Sequence, residues 1–118
     1  MLSKAVLFAA FVSLLPGPAA AGEIPYAATV GPGEHITGAV SVDDSSGEVS
    51  SAKGTASGAV GGAFALDRAN TDAELLGATA KLDIHLDRKS EQLRARLDAC
   101  AAGPDNCTPG NWVTLWEQ

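Results

Sequence analysis

The chain has 118 residues with 8 Lys and Arg against 14 Asp and Glu, a formal charge of −6, and this length allows one domain. The acidic balance argues against nucleic-acid binding, because phosphate neutralisation needs clustered Lys or Arg and acidic residues interleave the one basic cluster, at 88–96. Two cysteines cannot form a four-ligand zinc site by themselves, and no apolar run reaches the roughly 20 residues of a membrane-spanning helix.

The first 21 residues predict a secretory signal peptide. Met1–Lys4 is a short positive segment, residues 5–15 are apolar except for Ser13, and Pro16-Gly17-Pro18 precedes three alanines that suit a signal peptidase. We expect cleavage after Ala21 and a secreted or periplasmic location. The remaining chain has few large apolar side chains, so we expect a disulfide, a partner or self-association to support a thin core.

Residues 22–34 are rich in Pro and Gly and predict an extended lead-in with a turn, followed by a single small β-rich domain over 35–118. His35–Val42 places Ile36 and Val40 on one face and polar residues on the other, which predicts a strand with one buried face. The Asp and Ser residues that follow predict a turn.

Gly, Ala and Ser dominate residues 49–66, and this composition leaves three structures open. Val60, Phe64 and Leu66 keep the alternation of a strand, which we favour, with a bulge at Gly61-Gly62. A flexible linker is the second interpretation. A helix is the third, because glycines recur every four residues from Gly54 and would form a smooth stripe for close packing.

Leu76–Asp87 alternates strictly between apolar and polar residues and predicts a strand. Asp83, His85 and Asp87 then project from one face, about 6.8 Å apart. An imidazole between two carboxylates is a weak candidate metal site, and only His35 offers a second imidazole. A solvated polar face is the simpler interpretation, so neither metal nor cofactor is predicted.

A C-terminal helix is predicted after residue 89. Ser90 suits its N-cap, an apolar stripe runs from Leu93 through Leu97 to Cys100, and Gly103-Pro104 would end it.

The tail holds the remaining distinctive side chains. Cys100 and Cys107 enclose six residues, and in an exported protein they should form a disulfide that staples the tail to the helix end. Trp112 and Trp116 are four residues apart and fall on the same face of either a helix or a strand. We expect burial of both, because large side chains are scarce. If exposed, they are candidate binding anchors for a ring, a sugar or a protein groove.

The predicted fold is mostly β (α+β): a small antiparallel sheet of three to four long strands, one C-terminal helix and a disulfide-stapled tail. Polar turns surround the paired acids, and no nucleophile has an evident activating base, which argues against an enzyme. We therefore expect an exported, non-enzymatic binding or structural protein of the cell envelope or extracellular space.

Such a protein would act through a sheet face or edge on another protein or on itself. Three alternatives stay open. The first is a membrane-active or self-associating protein that uses the Gly-striped segment 54–66 without spanning the bilayer. The others are a secreted inhibitor of an enzyme and a chain that becomes ordered only on a partner.

Overall fold

The computed structural model describes residues 22–43, 45–103 and 105–118, and this part of the chain contains eight strands and no helix. The predicted signal peptide at 1–21 lies outside the described residues. Within the described ranges, no helix is long and apolar enough to cross a membrane. The strands are β1 (Glu23–Val30), β2 (Glu34–Val42), β3 (Val49–Ser57), β4 (Gly62–Asp67), β5 (Asp72–Leu76), β6 (Ala80–Asp87), β7 (Gln92–Ala99) and β8 (Trp112–Glu117).

The strands form two antiparallel sheets, and within each sheet the strands are arranged in chain order. Sheet 1 contains β1 to β4 and sheet 2 contains β5 to β8. A turn at 68–71 joins the sheets, where the Asp67 carboxylate accepts the N–H groups of Ala69 and Asn70, both at 2.8 Å. The mostly β prediction is confirmed, but the chain divides into eight strands because tight turns interrupt the predicted long ones.

The inward side chains of both sheets meet in one hydrophobic cluster. In sheet 2, the inward positions of β6 are Ala80, Leu82, Ile84 and Leu86, each at most 6% exposed. The strict alternation that predicted this strand therefore reflects one buried face and one outward face. The predicted strand 76–87 is interrupted only at 77–79, where the chain turns from β5 into β6.

Sheet 1 fills its interior in a different way, with two aromatic rings laid over two glycines. The registers align Tyr26, Gly38, Gly54 and Phe64 in one row across the four strands. A Cβ on Gly54 would collide with the Tyr26 hydroxyl and with the Phe64 ring, whose Cζ would lie 2.7 Å away. The Tyr26 hydroxyl donates to the Lys53 carbonyl at 2.9 Å, and burial raises the pKa of this phenol.

The segment 49–66 consists of two strands joined by a hairpin. β3 and β4 pair from Ser51–Asp67 to Ala56–Gly62. The segment is therefore extended, as favoured, but the single long strand with a bulge at Gly61-Gly62 is wrong, because residues 58–61 form the connection between β3 and β4. Neither a linker nor the Gly-striped helix is present in this segment. The glycine that suggested helix packing, Gly54, instead faces the core beneath the two aromatic rings.

The predicted C-terminal helix is wrong, because residues 92–99 form strand β7. The same residues also alternate with period two, so that Leu93 and Ala95 face the core while Arg94 and Arg96 face outward. Ser90 lies in the turn between β6 and β7 and donates its N–H to Asp87 at 3.3 Å. Glu91 has a φ of 55°, which no residue of a right-handed helix adopts. Pairing with β6 on one side and β8 on the other decides for the strand.

The predicted disulfide is confirmed between Cys100 and Cys107. It closes the loop that follows β7, and Ala99 and Thr108 exchange backbone hydrogen bonds across the base of this loop, at 2.7 and 3.2 Å. The chain therefore returns antiparallel to β7 before it enters β8. Disulfides are typical of oxidising compartments, and this one is consistent with an extracellular or periplasmic location.

Candidate binding site

The outward face of sheet 2 is dense in charged side chains. In the pairing registers, the outward residues of the four strands align in rows. These rows are Leu76–Lys81–Asp98, Glu74–Asp83–Arg96–Trp112, Asp72–His85–Arg94–Thr114 and Asp87–Gln92–Glu117.

The second row crosses an open cleft of about 570 Å³. Glu74 on β5 and Trp112 on β8 lie at its opposite ends, and Asp83 and Arg96 lie between them. The row spans three strand spacings, about 14 Å. We call this site the Trp112 cleft, and its lining residues are Asp72, Ala73, Glu74, Lys81, Asp83, Ile84, Arg96 and Trp112.

Ion pairs hold both cations of the cleft. Arg96 Nη2 lies 3.2 Å from Asp83 Oδ2 and 3.2 Å from Asp98 Oδ2. Lys81 Nζ lies 3.6 Å from Glu74 and 3.9 Å from Asp98. The Asp98 side chain is only 2% exposed and does not line the cleft. This buried carboxylate forms ion pairs with both cations of the cleft.

Trp112 is the exposed aromatic side chain of this face, with 42% of the residue accessible to solvent. The guanidinium carbons of Arg96 and Arg94 lie 5.0 and 5.6 Å from its ring centroid, within cation–π range. The ring is therefore held over two cations while part of its surface stays open. An indole fixed in this way is a platform on which a flat ligand surface can stack.

The sequence predicts that the two tryptophans share one face, but in the structure they lie on different faces. A register shift between Leu93 and Arg94 gives β8 an extra residue, so that Trp112 pairs with outward Arg96 and Trp116 pairs with buried Leu93. Trp116 packs against the core cluster. Trp116 is half-buried, so the expectation of burial is met in part by Trp116 and is wrong for Trp112.

The loop after β7 fixes the position of Trp112. The Gly110 N–H donates to Asp98 Oδ1 at 3.0 Å, two residues before the tryptophan. The Cys100–Cys107 disulfide lies at the other end of the same segment. The buried carboxylate of Asp98 thus connects the cations of the cleft to the backbone that presents its aromatic wall.

The candidate metal residues share one face of β6, as predicted, but each has a different partner. Asp83 pairs with Arg96, and His85 Nδ1 lies 2.6 Å from Asp72 Oδ1. Asp87 accepts the N–H groups of Lys89 and Ser90 in the turn. Among the described residues, no group of three or more His, Cys, Asp or Glu side chains converges as metal ligands would.

The two aspartates of β6 have opposite pKa shifts. Burial raises the pKa of Asp83, the nearby Asp98 and Glu74 carboxylates add to the increase, and Lys81 and Arg96 oppose it. Hydrogen bonds from Ser90 and Lys89 lower the pKa of Asp87, which lies at the exposed end of the strand. The cleft therefore places a carboxylate where its ionised form is disfavoured.

Sequence reasoning did not assign to a site the charged lining residues Asp72, Glu74, Lys81 and Arg96, nor Asp98, which holds two of them. The helix interpretation of 90–101 concealed the last two, because a helix scatters Arg94, Arg96 and Asp98 around its circumference. The period-two alternation of residues 92–99 was the signal that would have placed these three side chains on one face, beside the outward residues of β6.

Comparison with protein-family models, with curated proteins and with solved structures found no match to this chain. The chemistry of the Trp112 cleft is therefore the basis on which its function is argued.

Proposed function

We propose that this chain is an exported, non-enzymatic binding protein that recognises a carbohydrate with the outward face of sheet 2. The observation that carries the proposal is Trp112, 42% exposed at the end of a cleft of about 570 Å³ whose other polar groups are carboxylates, a guanidinium and an ammonium. The volume lies within the range of about 300–1,000 Å³ that is common for ligand sites.

A sugar ring matches this set of groups. Its flat apolar side can stack on the indole, and its neighbouring hydroxyl groups can hydrogen-bond to planar carboxylate and guanidinium groups. Asp83 and Arg96 are already oriented by their ion pair, so a ligand would lose little affinity to the ordering of these side chains. These features support recognition of a polar ring.

Binding without catalysis is favoured by the lining of the cleft. The described residues around it include no hydroxyl or thiol nucleophile. Its lysine and arginine are tied into ion pairs, and neither is placed as a free acid or base. The export part of the proposal rests on the signal-like pattern of residues 1–21 and on the Cys100–Cys107 disulfide.

The test is a thermal-shift screen of soluble oligosaccharides on the oxidised protein produced from the full chain. We expect at least one oligosaccharide to raise the Tm of the wild type, and W112L to lose about 2 kcal/mol of that binding, about 30-fold in affinity. Lys53→Gln, on the outward face of sheet 1, is the matched control and should bind as the wild type does. The proposal fails if no oligosaccharide binds at millimolar concentration, or if W112L binds equally well.

A further inference from the structure

The outward face of sheet 2 carries an excess of carboxylates. Its outward positions hold six acidic residues and three Lys or Arg residues. The acidic residues are Asp72, Glu74, Asp83, Asp87, Asp98 and Glu117, and the basic residues are Lys81, Arg94 and Arg96. A ligand that approaches this face therefore meets a net negative field, which favours cations.

All three basic side chains of this face already have partners. Arg96 lies between Asp83 and Asp98, Lys81 lies between Glu74 and Asp98, and Arg94 lies over the Trp112 ring. An anionic ligand would have to displace one of these partners. Displacement of Arg96 would leave the Asp98 carboxylate, 2% exposed, with Lys81 at 3.9 Å as its remaining cation, which is costly.

The carboxylates of Glu74, Asp83 and Asp98 share only two cations, so their ion pairs leave one negative charge. Glu74 and Asp83 are directly opposite each other in the antiparallel register, which places their Cβ atoms about 5 Å apart. Like charges in such a pair destabilise a sheet. The raised pKa of Asp83 has this proximity among its causes. A cation placed between the two carboxylates would relieve their repulsion.

Resting on the proposed function, we infer that the carbohydrate bound in the Trp112 cleft carries protonated amino groups. An ammonium group of this oligosaccharide lies between Glu74 and Asp83, and another of its sugar rings stacks on Trp112. The span of about 14 Å between the two ends requires linked sugars rather than one monosaccharide. The ligand class is thus an amino-sugar oligosaccharide whose amines are not acetylated.

The test compares two probes of the same sugar backbone, one with free, protonated amines and one whose amines are acetylated and uncharged. The β-1,4-linked glucosamine tetramer and its fully N-acetylated counterpart are titrated into the oxidised protein, at a pH where the free amines are protonated, and binding is followed by tryptophan fluorescence and by calorimetry. We expect the amine form to bind about tenfold more tightly than the acetylated form, as for hydrogen bonds between charged groups.

Two variants locate the charge. Glu74→Gln should lower the affinity for the glucosamine tetramer about tenfold and that for the acetylated tetramer by a smaller factor, because only the first probe carries ammonium groups. Glu117→Gln is the matched control: Glu117 is an acid on the other edge strand of the same sheet, bonded to Gln92 at 3.0 Å and outside the cleft lining. It should change neither affinity by more than about twofold.

Each other outcome overturns the inference in a distinct way. If the acetylated tetramer binds as tightly as the amine form and both need Trp112, the charge preference is wrong and the carbohydrate proposal stands. If spermidine binds as tightly as the glucosamine tetramer and W112L binds both normally, the face attracts cations without recognising a ring, and both proposals fail. Absence of binding by the glucosamine tetramer at millimolar concentration also overturns the inference.

Discussion

Sheets 1 and 2 have the same topology, four antiparallel strands in chain order, but their two faces are built from different residues. The inner face of sheet 1 relies on Tyr26 and Phe64 lying over Gly38 and Gly54. The inner face of sheet 2 relies instead on branched aliphatic residues, as in β6. One core is thus filled from two sides by different means.

The outward faces differ as strongly. A shallow depression of about 390 Å³ on sheet 1 is lined by Thr, Ala and Gly, with Lys53 as its one charged side chain and Phe64 beneath it. The Trp112 cleft of sheet 2 has five charged residues in its lining. The polar network therefore lies on the sheet whose inner face is aliphatic, and the buried side chains of β6 hold the strand that carries Asp83 in a fixed position, as a binding site requires.

The largest effect is expected when the aliphatic filling of sheet 2 is removed. Leu82 is fully buried, and Leu82→Ala would leave a cavity beneath the cleft, so we expect a loss of about 3 kcal/mol in the free energy of unfolding. Leu76→Ala is the matched control, because Leu76 is 57% exposed and its truncation should cost little. Urea unfolding measures both, and equal losses would contradict the assignment of inner and outer faces.

The disulfide belongs to sheet 2 only, and its removal should distinguish the sheets. The Cys100→Ser, Cys107→Ser double variant should lose about 2.5 kcal/mol from the chain entropy of the closed loop. The segment that leads to Trp112 should also loosen, so ligand affinity and the emission spectrum of Trp112 should change. The distant hydrogen bond of Tyr26 should persist, as measured by near-ultraviolet circular dichroism. An unchanged Trp112 signal would contradict the role of the loop in positioning this ring.

The sequence was sufficient for strands whose pattern fits one structure only. The alternation of β6 identifies its strand, because a helical face that collects Leu82 and Leu86 leaves Ile84 outside it. The disulfide also followed from the sequence, because an expected oxidising destination leaves two cysteines one obvious partner each.

The sequence failed where two periods fit the same residues. Leu93 and Leu97 lie on one side of a helix and also on one side of a strand. Only the pairing of this segment with β6 and β8 decides for the strand. The bulge in β8 is equally hidden, because the extra residue that separates Trp112 from Trp116 depends on the pairing with β7. The candidate site lies where both ambiguities meet, so the sequence singled out Asp83 and Trp112 but did not bring them together with Arg96.

Sheet 1 should lose stability when a methyl group is added to its interior. Gly54→Ala places a Cβ against the Tyr26 hydroxyl and the Phe64 ring, and we expect a loss of about 2 kcal/mol from overpacking. Gly61→Ala is the matched control, since its Cβ would meet only the Ala56 carbonyl oxygen at 3.9 Å. Thermal unfolding compares them. If Gly54→Ala is as stable as Gly61→Ala, the glycine row is not what fits the rings to sheet 1.

The smallest expected effect is a difference in pH dependence between two acids of β6. Asp83 has a raised pKa in the folded protein, so the fold holds its proton more tightly than the unfolded chain does. Its contribution to stability is therefore present below the ordinary Asp pKa and is lost as pH rises through the folded value. Asp83→Asn removes this dependence, so the variant should gain stability relative to the wild type as pH rises.

Asp87→Asn is the matched control and should show the opposite sign. The pKa of Asp87 is lowered, so its contribution is present above the ordinary Asp pKa and is lost as pH falls through the folded value. Urea unfolding of the three proteins between about pH 3 and 7 measures both differences. If the two differences have the same sign, the raised pKa of Asp83, which burial causes first and to which the neighbouring carboxylates add, is absent. Opposite signs would distinguish Asp87, whose carboxylate is stabilised by hydrogen bonds in a turn, from Asp83, whose ionised form is disfavoured in the cleft.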